Sequence, residues 1–243
     1  MEEVKQSILD LLEKIEKCEI DPDKTHLIWA EMNKYRDAYV KKHRQQSWNT
    51  FIGHVFQKMV FAVLKCYFRG LRSKNTEFQN LDVMSESEVR KNEIIAKKLS
   101  ISYGEGKYFM LPDTDMAIVD YNFSDPWNSE ILGIISCKTS LRERVAQACY
   151  WKLKLKRSKT AHNVRAFLAT ADNDKDFSIG EKTRIKKEYD GMSRDRVIAE
   201  YELDGVYILR GDFKEEWESS KVKRYDKIFN DLIGIFRKIH RNG

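Results

Sequence analysis

Apolar residues recur at helical spacing from the start of the chain. Val4, Ile8, Leu11, Leu12 and Ile15 fall on one face of a 3.6-residue repeat and predict a first helix. The turn Asp21-Pro22-Asp23-Lys24 ends it, and a second helix is expected from about Thr25 to Gln46. Ser47 reads as the N-cap of a third helix, Trp48 to Arg69, closed by Gly70. Phe51, Ile52, Val55, Phe56, Val60, Phe61, Val63 and Leu64 make this third helix apolar on nearly every side, so it should lie buried against a sheet.

The period then shortens. After a capped helix around Glu86 to Leu99, two short runs flank Gly104-Glu-Gly106, a hairpin signal that leads into Pro112. Met-Ala-Ile-Val behind Asp115 and Glu130 to Cys137 read as buried strands, short and rich in β-branched residues, with Asp125-Pro126-Trp127-Asn128 as the turn between them. A helix from Ser140 to about Lys156, a strand from Val164 to Thr170 and a helix near Gly180 to Tyr189 follow. A strand from Gly205 to Leu209 and a final helix from about Val222 to His240 complete the order. Strands and helices alternate as in an α/β fold, with residues 1–80 as a helical N-terminal region and 81–243 as the core.

Chemistry concentrates around the two middle strands. Asp113 and Asp115 end one segment, and Ser136-Cys137-Lys138 ends its neighbour, so acid and amine should stand side by side. A divalent cation such as Mg²⁺ takes one or two carboxylates plus waters, and it neutralises charge that develops on a phosphoryl group. A nearby lysine orients the attacking water and adds positive charge. On a strand Ser136 and Lys138 share one face and Cys137 takes the other, which leaves Ser136 and the Cys137 carbonyl near the metal.

Pro112-Asp113 followed by Ser136-Cys-Lys138 resembles the PD-(D/E)xK nuclease motif, in the variant with serine before x-Lys. Its continuation, Lys-Thr-Ser-Leu-Arg-Glu-Arg, resembles type II restriction endonucleases of the EcoRII, NgoMIV and BsaWI kind, which read CCGG- or CCNGG-like sites. The resemblance spans Pro112 to about Lys154. It implies a central mixed β-sheet flanked by helices, dependence on Mg²⁺ with Mn²⁺ as a substitute, and cleavage of double-stranded DNA. It also implies Asp115, Asp113, Ser136, Lys138 and Gln57 as catalytic candidates, and Asp115, Asp113 and the Cys137 carbonyl as metal ligands.

In relatives with serine before x-Lys, the displaced carboxylate sits on the following helix, where this chain has Tyr150-Trp151-Lys152-Leu153. The second ligand is therefore open between Asp113, Gln57 on the buried third helix, and Glu143. Arginine forks onto guanine and a carboxylate accepts from cytosine N4, so Arg142, Glu143 and Arg144, with Ser140 beside them, are the candidates for reading G·C pairs. Arg194 and Arg196, in a second Arg-Asp-Arg triplet, read as surface positions with a role in phosphate contact.

The remaining composition narrows the function classes. Of 243 residues, 42% are hydrophobic and 34% charged, which suits one substantial core. From the sequence, no apolar run is expected to approach the roughly 20 residues of a membrane span, and the acidic start does not read as a signal peptide. Cys18, Cys66, Cys137 and Cys149 lack metal spacing and fit a reducing, cytoplasmic setting better than a disulfide framework. The net charge of +6 is modest, but basic clusters such as Lys41 to Arg44 and Lys152 to Arg157 suit phosphate contact. His54 reads as a core histidine, and Asp172, Asp174 and Asp176 as a solvated turn or, with Arg165 or Lys175 nearby, a DNA-facing loop. The expected protein is a homodimeric, sequence-specific DNA endonuclease without a membrane partner. The alternatives are a structure-selective or repair nuclease on the same fold and a non-catalytic DNA-binding protein.

Overall fold

The computed structural model describes residues 2–41, 44–141, 144–180 and 188–241. Its N-terminal helices are α1 (Glu2–Glu16), α2 (Thr25–Lys34), α3 (Arg36–Val40) and α4 (Gln45–Lys74). The second helix expected from the pattern is broken at Tyr35, which separates α2 from α3. Helix α4 begins before Ser47 and continues through Gly70 to Lys74. Ser47 is thus inside the helix, and its hydroxyl pairs with that of Tyr39 at 3.0 Å instead of capping.

The core continues with β1 (Leu81–Ser85), α5 (Glu86–Lys91) and α6 (Glu93–Leu99). A Ser85/Glu88 capping box starts α5, and Asn92 ends it and caps α6. A separate hairpin, β2 (Ile101–Tyr103) and β3 (Tyr108–Met110), leads to β4 (Met116–Asp120) and β5 (Glu130–Lys138). After these come α7 (Arg144–Lys156), β6 (Arg165–Thr170), α8 (Arg194–Glu202), β7 (Gly205–Ile208), β8 (Val222–Arg224) and α9 (Lys227–Arg241).

Six strands form one mixed sheet in the order β1-β4-β5-β6-β7-β8. β1, β4 and β5 are antiparallel neighbours, whereas β5 to β8 run parallel. Helices cover both faces, because the inner strands carry apolar side chains toward both. One layer packs α4 and α9 under Met116, Ile118, Ile135 and Cys137, and the same cluster takes in Ile8 and Leu12 of α1 and Trp29 and Met32 of α2. The N-terminal helices therefore share the core of the sheet. The other layer packs α6, α7 and α8 against Ala117, Val119, Ile134 and Leu168.

Helix α4 corrects one expectation from composition: by length and hydropathy it would suffice to cross a membrane, yet it is the core helix beneath the sheet. The cysteines correct another. Cys18 and Cys66 form a disulfide that ties the end of α1 to α4, while Cys137 and Cys149 are free and buried.

Candidate active site

Asp115 is held before its side chain is considered. Its N–H donates to Ile135 O at 3.1 Å, and its carbonyl accepts from Glu86 N at 3.1 Å, which pins it between β5 and α5. The buried Thr114 hydroxyl lies 3.0 Å from both Met116 O and Ile135 O and fixes the preceding residue in the same way. The carboxylate then accepts from Cys137 N at 2.5 Å and lies 3.5 Å from Lys138 Nζ. The two side chains are 18% and 16% exposed, shielded enough to strengthen the attraction and open enough to meet a ligand. Burial pushes the Asp115 carboxyl above its ordinary range. Lys138 and the Cys137 N–H oppose this, and the Asp113 charge adds to it.

The pair faces a polar cleft of about 900 Å³. Cys137, Lys138, Thr139, Ser140 and Arg144 line one side, and Gln57 reaches the same cleft from α4. Asp115, Lys138 and Gln57, expected together from the sequence, line the same cleft. Ser136 and Asp113 do not join them in the lining. Ser136 is buried, on the side of β5 away from Ile135 and Cys137. Asp113 is exposed and accepts from the Gln147 side-chain amide on α7. Arg142 and Glu143 lie outside the described residues, whereas Arg144, next to them, is exposed at the start of α7.

Two expectations about charged residues are corrected. Arg194 is exposed on α8 but does not line the cleft, and Arg196 is only 1% exposed. Its guanidinium donates to the carbonyls of Phe177 and Trp217 and lies 3.7 Å from Glu200, so it holds core segments together and is closed to DNA. The loop after β6 is not a solvated turn either. Asp172 and Asp176 are buried, and Arg210 pairs with Asp172 at 2.9 Å. That pair anchors a loop whose Asn173 N–H donates to Thr139 O at 3.2 Å, and Asn173 and Asp174 thereby enter the cleft lining.

The reading from sequence also missed the wall opposite Lys138. Asn33, Arg36, Gln45 and Asn49 line the cleft from α2, α3 and α4, and His54 is exposed there instead of sitting in the core. The signal was present as polar residues at helical spacing on α4, which the dominant apolar pattern of that helix concealed.

Among the described residues, no three His, Cys, Asp or Glu side chains converge in a metal-binding group. The carboxylates that line the cleft are Asp115 and Asp174, and Asp115 stands beside amides and backbone. This donor set does not suit a closed zinc-type cage, and it fits a cation that keeps most of its waters.

Residues 88–231 match the family described as BsaWI restriction endonuclease type 2. The chain is 36% identical over 204 residues to MjaVIP of Methanocaldococcus jannaschii, described as a candidate type II restriction enzyme; the match covers 84% of this chain and 83% of that one. A second candidate type II restriction enzyme, HpyAORF263P of Helicobacter pylori, is 26% identical over 162 residues, 63% of this chain and 79% of its own. Among solved structures, restriction endonuclease PspGI with substrate DNA superposes with a TM-score of 0.48 at 15% identity, covering 98% of this chain and 91% of that one. The chain belongs to the BsaWI family of type II restriction endonucleases.

Proposed function

We propose that this protein cuts both strands of DNA at a short, G·C-containing palindrome of the CCGG kind, as a cytoplasmic homodimer that uses Mg²⁺ or, in its place, Mn²⁺. The observation that carries this reading is the Asp115–Lys138 pair, 3.5 Å apart and recessed in a polar cleft, in a chain of this family. Two-fold symmetry follows from the target, since one active site per strand is met most simply by two copies of one chain.

Asp115 and the Cys137 carbonyl are the residues that would hold the cation, with Gln57 or Asp113 supporting a bound water. The shared cleft favours Gln57, because Asp113 is engaged by Gln147. When bound, the cation supplies charge neutralisation at the phosphate and acidifies water. Lys138 keeps its ammonium beside Asp115, where it orients the attacking water and adds positive charge toward the phosphate oxygens. Attack forms one phosphorus–oxygen bond and breaks the ester bond opposite. Arg144 and Ser140, with Arg142 and Glu143 next to them in sequence, are the proposed readers of base edges; each bidentate contact discriminates by about 1–3 kcal/mol.

The test is digestion of a defined plasmid with Mg²⁺, with and without chelator, followed by sequencing of the ends. Discrete bands with one common end sequence are expected. A ladder without common ends, or duplex left intact while branched substrates are cut, would overturn the reading.

A further inference from the structure

The segment that matches the family begins at residue 88, yet half of the cleft is built before it. On α4, the rows Gln46, Asn49, Gly53, Gln57 and Gln46, Thr50, His54, Gln57 each advance by steps of three or four and line the cleft as a single stripe. From Gln46 to Gln57 the stripe runs about 16 Å, at roughly 1.5 Å per residue, and it ends at Gln57, which shares the cleft lining with Asp115 and Lys138. The opposite side of the helix is held in the core by Ile52, Val55, Phe56 and Met59, so the stripe cannot turn away.

The wall is dominated by donors, with an exposed acid beside it, Asp37, 3.8 Å from Arg36 Nη1. Its lining residues from α2, α3 and α4 include no carboxylate, and the acids that line the cleft, Asp115 and Asp174, both come from the other side. Arg36 Nη2 donates to Gln45 Oε1 at 3.0 Å, and Gln45 Nε2 donates to Asn49 Oδ1 at 2.8 Å. The chain of bonds orients these side chains and ends at Asn49, which is exposed. Donors of this kind, amide and guanidinium, are among those that contact phosphate and sugar.

Gly53 interrupts the stripe midway. A Cβ built there meets nothing within 4 Å, so packing inside the protein gives no reason for a glycine at this point. A glycine in a helix interior lowers stability relative to alanine, but it lets another backbone come close.

We infer that this helical wall seats the sugar-phosphate backbone of duplex DNA, with Gly53 at the point of closest approach and Arg36 neutralising a phosphate. The inference rests on the proposed DNA-cleaving function and adds to it the surface that holds the substrate against Asp115 and Lys138. It gives the N-terminal helices a part in substrate binding.

The test uses the full chain and its Gly53→Ala, Gly53→Leu and Arg36→Gln variants. Melting temperature, affinity for a fluorescein-labelled duplex of mixed sequence in Ca²⁺, and plasmid cleavage in Mg²⁺ are measured. Gly53→Leu should melt at or above the wild-type temperature yet bind about tenfold or more weakly, equivalent to ~1.4 kcal/mol. Gly53→Ala should weaken binding less. Arg36→Gln should weaken every duplex alike and reduce the slope of log affinity against log salt by about 1, a readout that a purely structural role would not move. Wild-type affinity in Gly53→Leu, or an unchanged salt slope in Arg36→Gln, overturns the inference and leaves the proposed function standing. Should Gly53→Leu not fold, the Arg36→Gln slope decides alone. A wild-type protein that neither binds nor cuts duplex DNA removes both.

Discussion

Arg210→Met tests how the cleft loop is held. Arg210 Nε donates to Asp172 Oδ2 at 2.9 Å, its Nη2 to Ser178 Oγ at 2.6 Å and its Nη1 to Asp212 Oδ1 at 2.9 Å. Its guanidinium lies 5.5 Å and 5.4 Å from the ring centres of Phe213 and Trp217, and methionine keeps much of that apolar packing. Asp172 is 0% exposed; burial pushes its carboxyl up to about 6 although Arg210 pulls it down. Without Arg210 the carboxyl must rise further.

The pH dependence follows from the sign of that shift. A carboxyl with a folded-state value above its unfolded one contributes stability that is fully present below the unfolded value and lost as pH rises through the folded value. In the wild type this loss is largely complete a little above pH 6, as the value of about 6 dictates. In Arg210→Met it continues above that pH, by up to ~1.4 kcal/mol per unit. The variant should therefore be nearest the wild type in acid and less stable by about 3–5 kcal/mol near neutral or mildly alkaline pH, the usual effect of removing one partner of a buried pair. For a chain of this size, at about 2–4 °C per kcal/mol, that is a drop of about 6–20 °C in melting temperature. Calorimetry or circular-dichroism melts across the range from about pH 5 to 8 measure it. A deficit that does not change with pH, or one below about 1 kcal/mol, would refute the reasoning.

Two further outcomes concern the core. Burial pushes the Cys137 thiol well up and that of Cys149 up to about 11, so native protein should resist iodoacetamide; unfolding should expose two thiols without reductant and four with it, counted by mass. A Cβ at Gly133 would lie 2.6 Å from the Phe167 ring and 3.0 Å from Arg165 O, whereas one at Gly234 on α9 meets nothing. In chemical denaturation Gly133→Ala should cost about 1–3 kcal/mol and Gly234→Ala should gain up to about 1 kcal/mol.

The parts of the fold legible in the sequence were those governed by local periodicity. β4 and β5 are adjacent because each is a β-branched run ended by a turn, and that adjacency alone brings Asp115 to Lys138. Gln57 was placed by the apolar surround of α4, which directs the helix to the sheet. What escaped depends on partners distant in the chain. Arg196 sits in a charged triplet that looks solvated, and its burial is explained only by carbonyls 19 and 21 residues away. Cys18 and Cys66 are 48 residues apart with no local mark of pairing. β8 has three residues, Val222 to Arg224, too few for an alternation to register, and was absorbed into the helix that follows. The donor-lined wall was hidden because its stripe occupies one face of a helix whose other faces are apolar.

The central claim is that Asp115 and Lys138 act together on a phosphodiester, and single-turnover cleavage of duplex DNA by Asp115→Asn and Lys138→Met tests it most directly. Each variant should bind duplex in Ca²⁺ within a few-fold of wild type and lose about 10²-fold or more in cleavage rate with Mg²⁺. Near-wild-type cleavage by either variant would contradict the account.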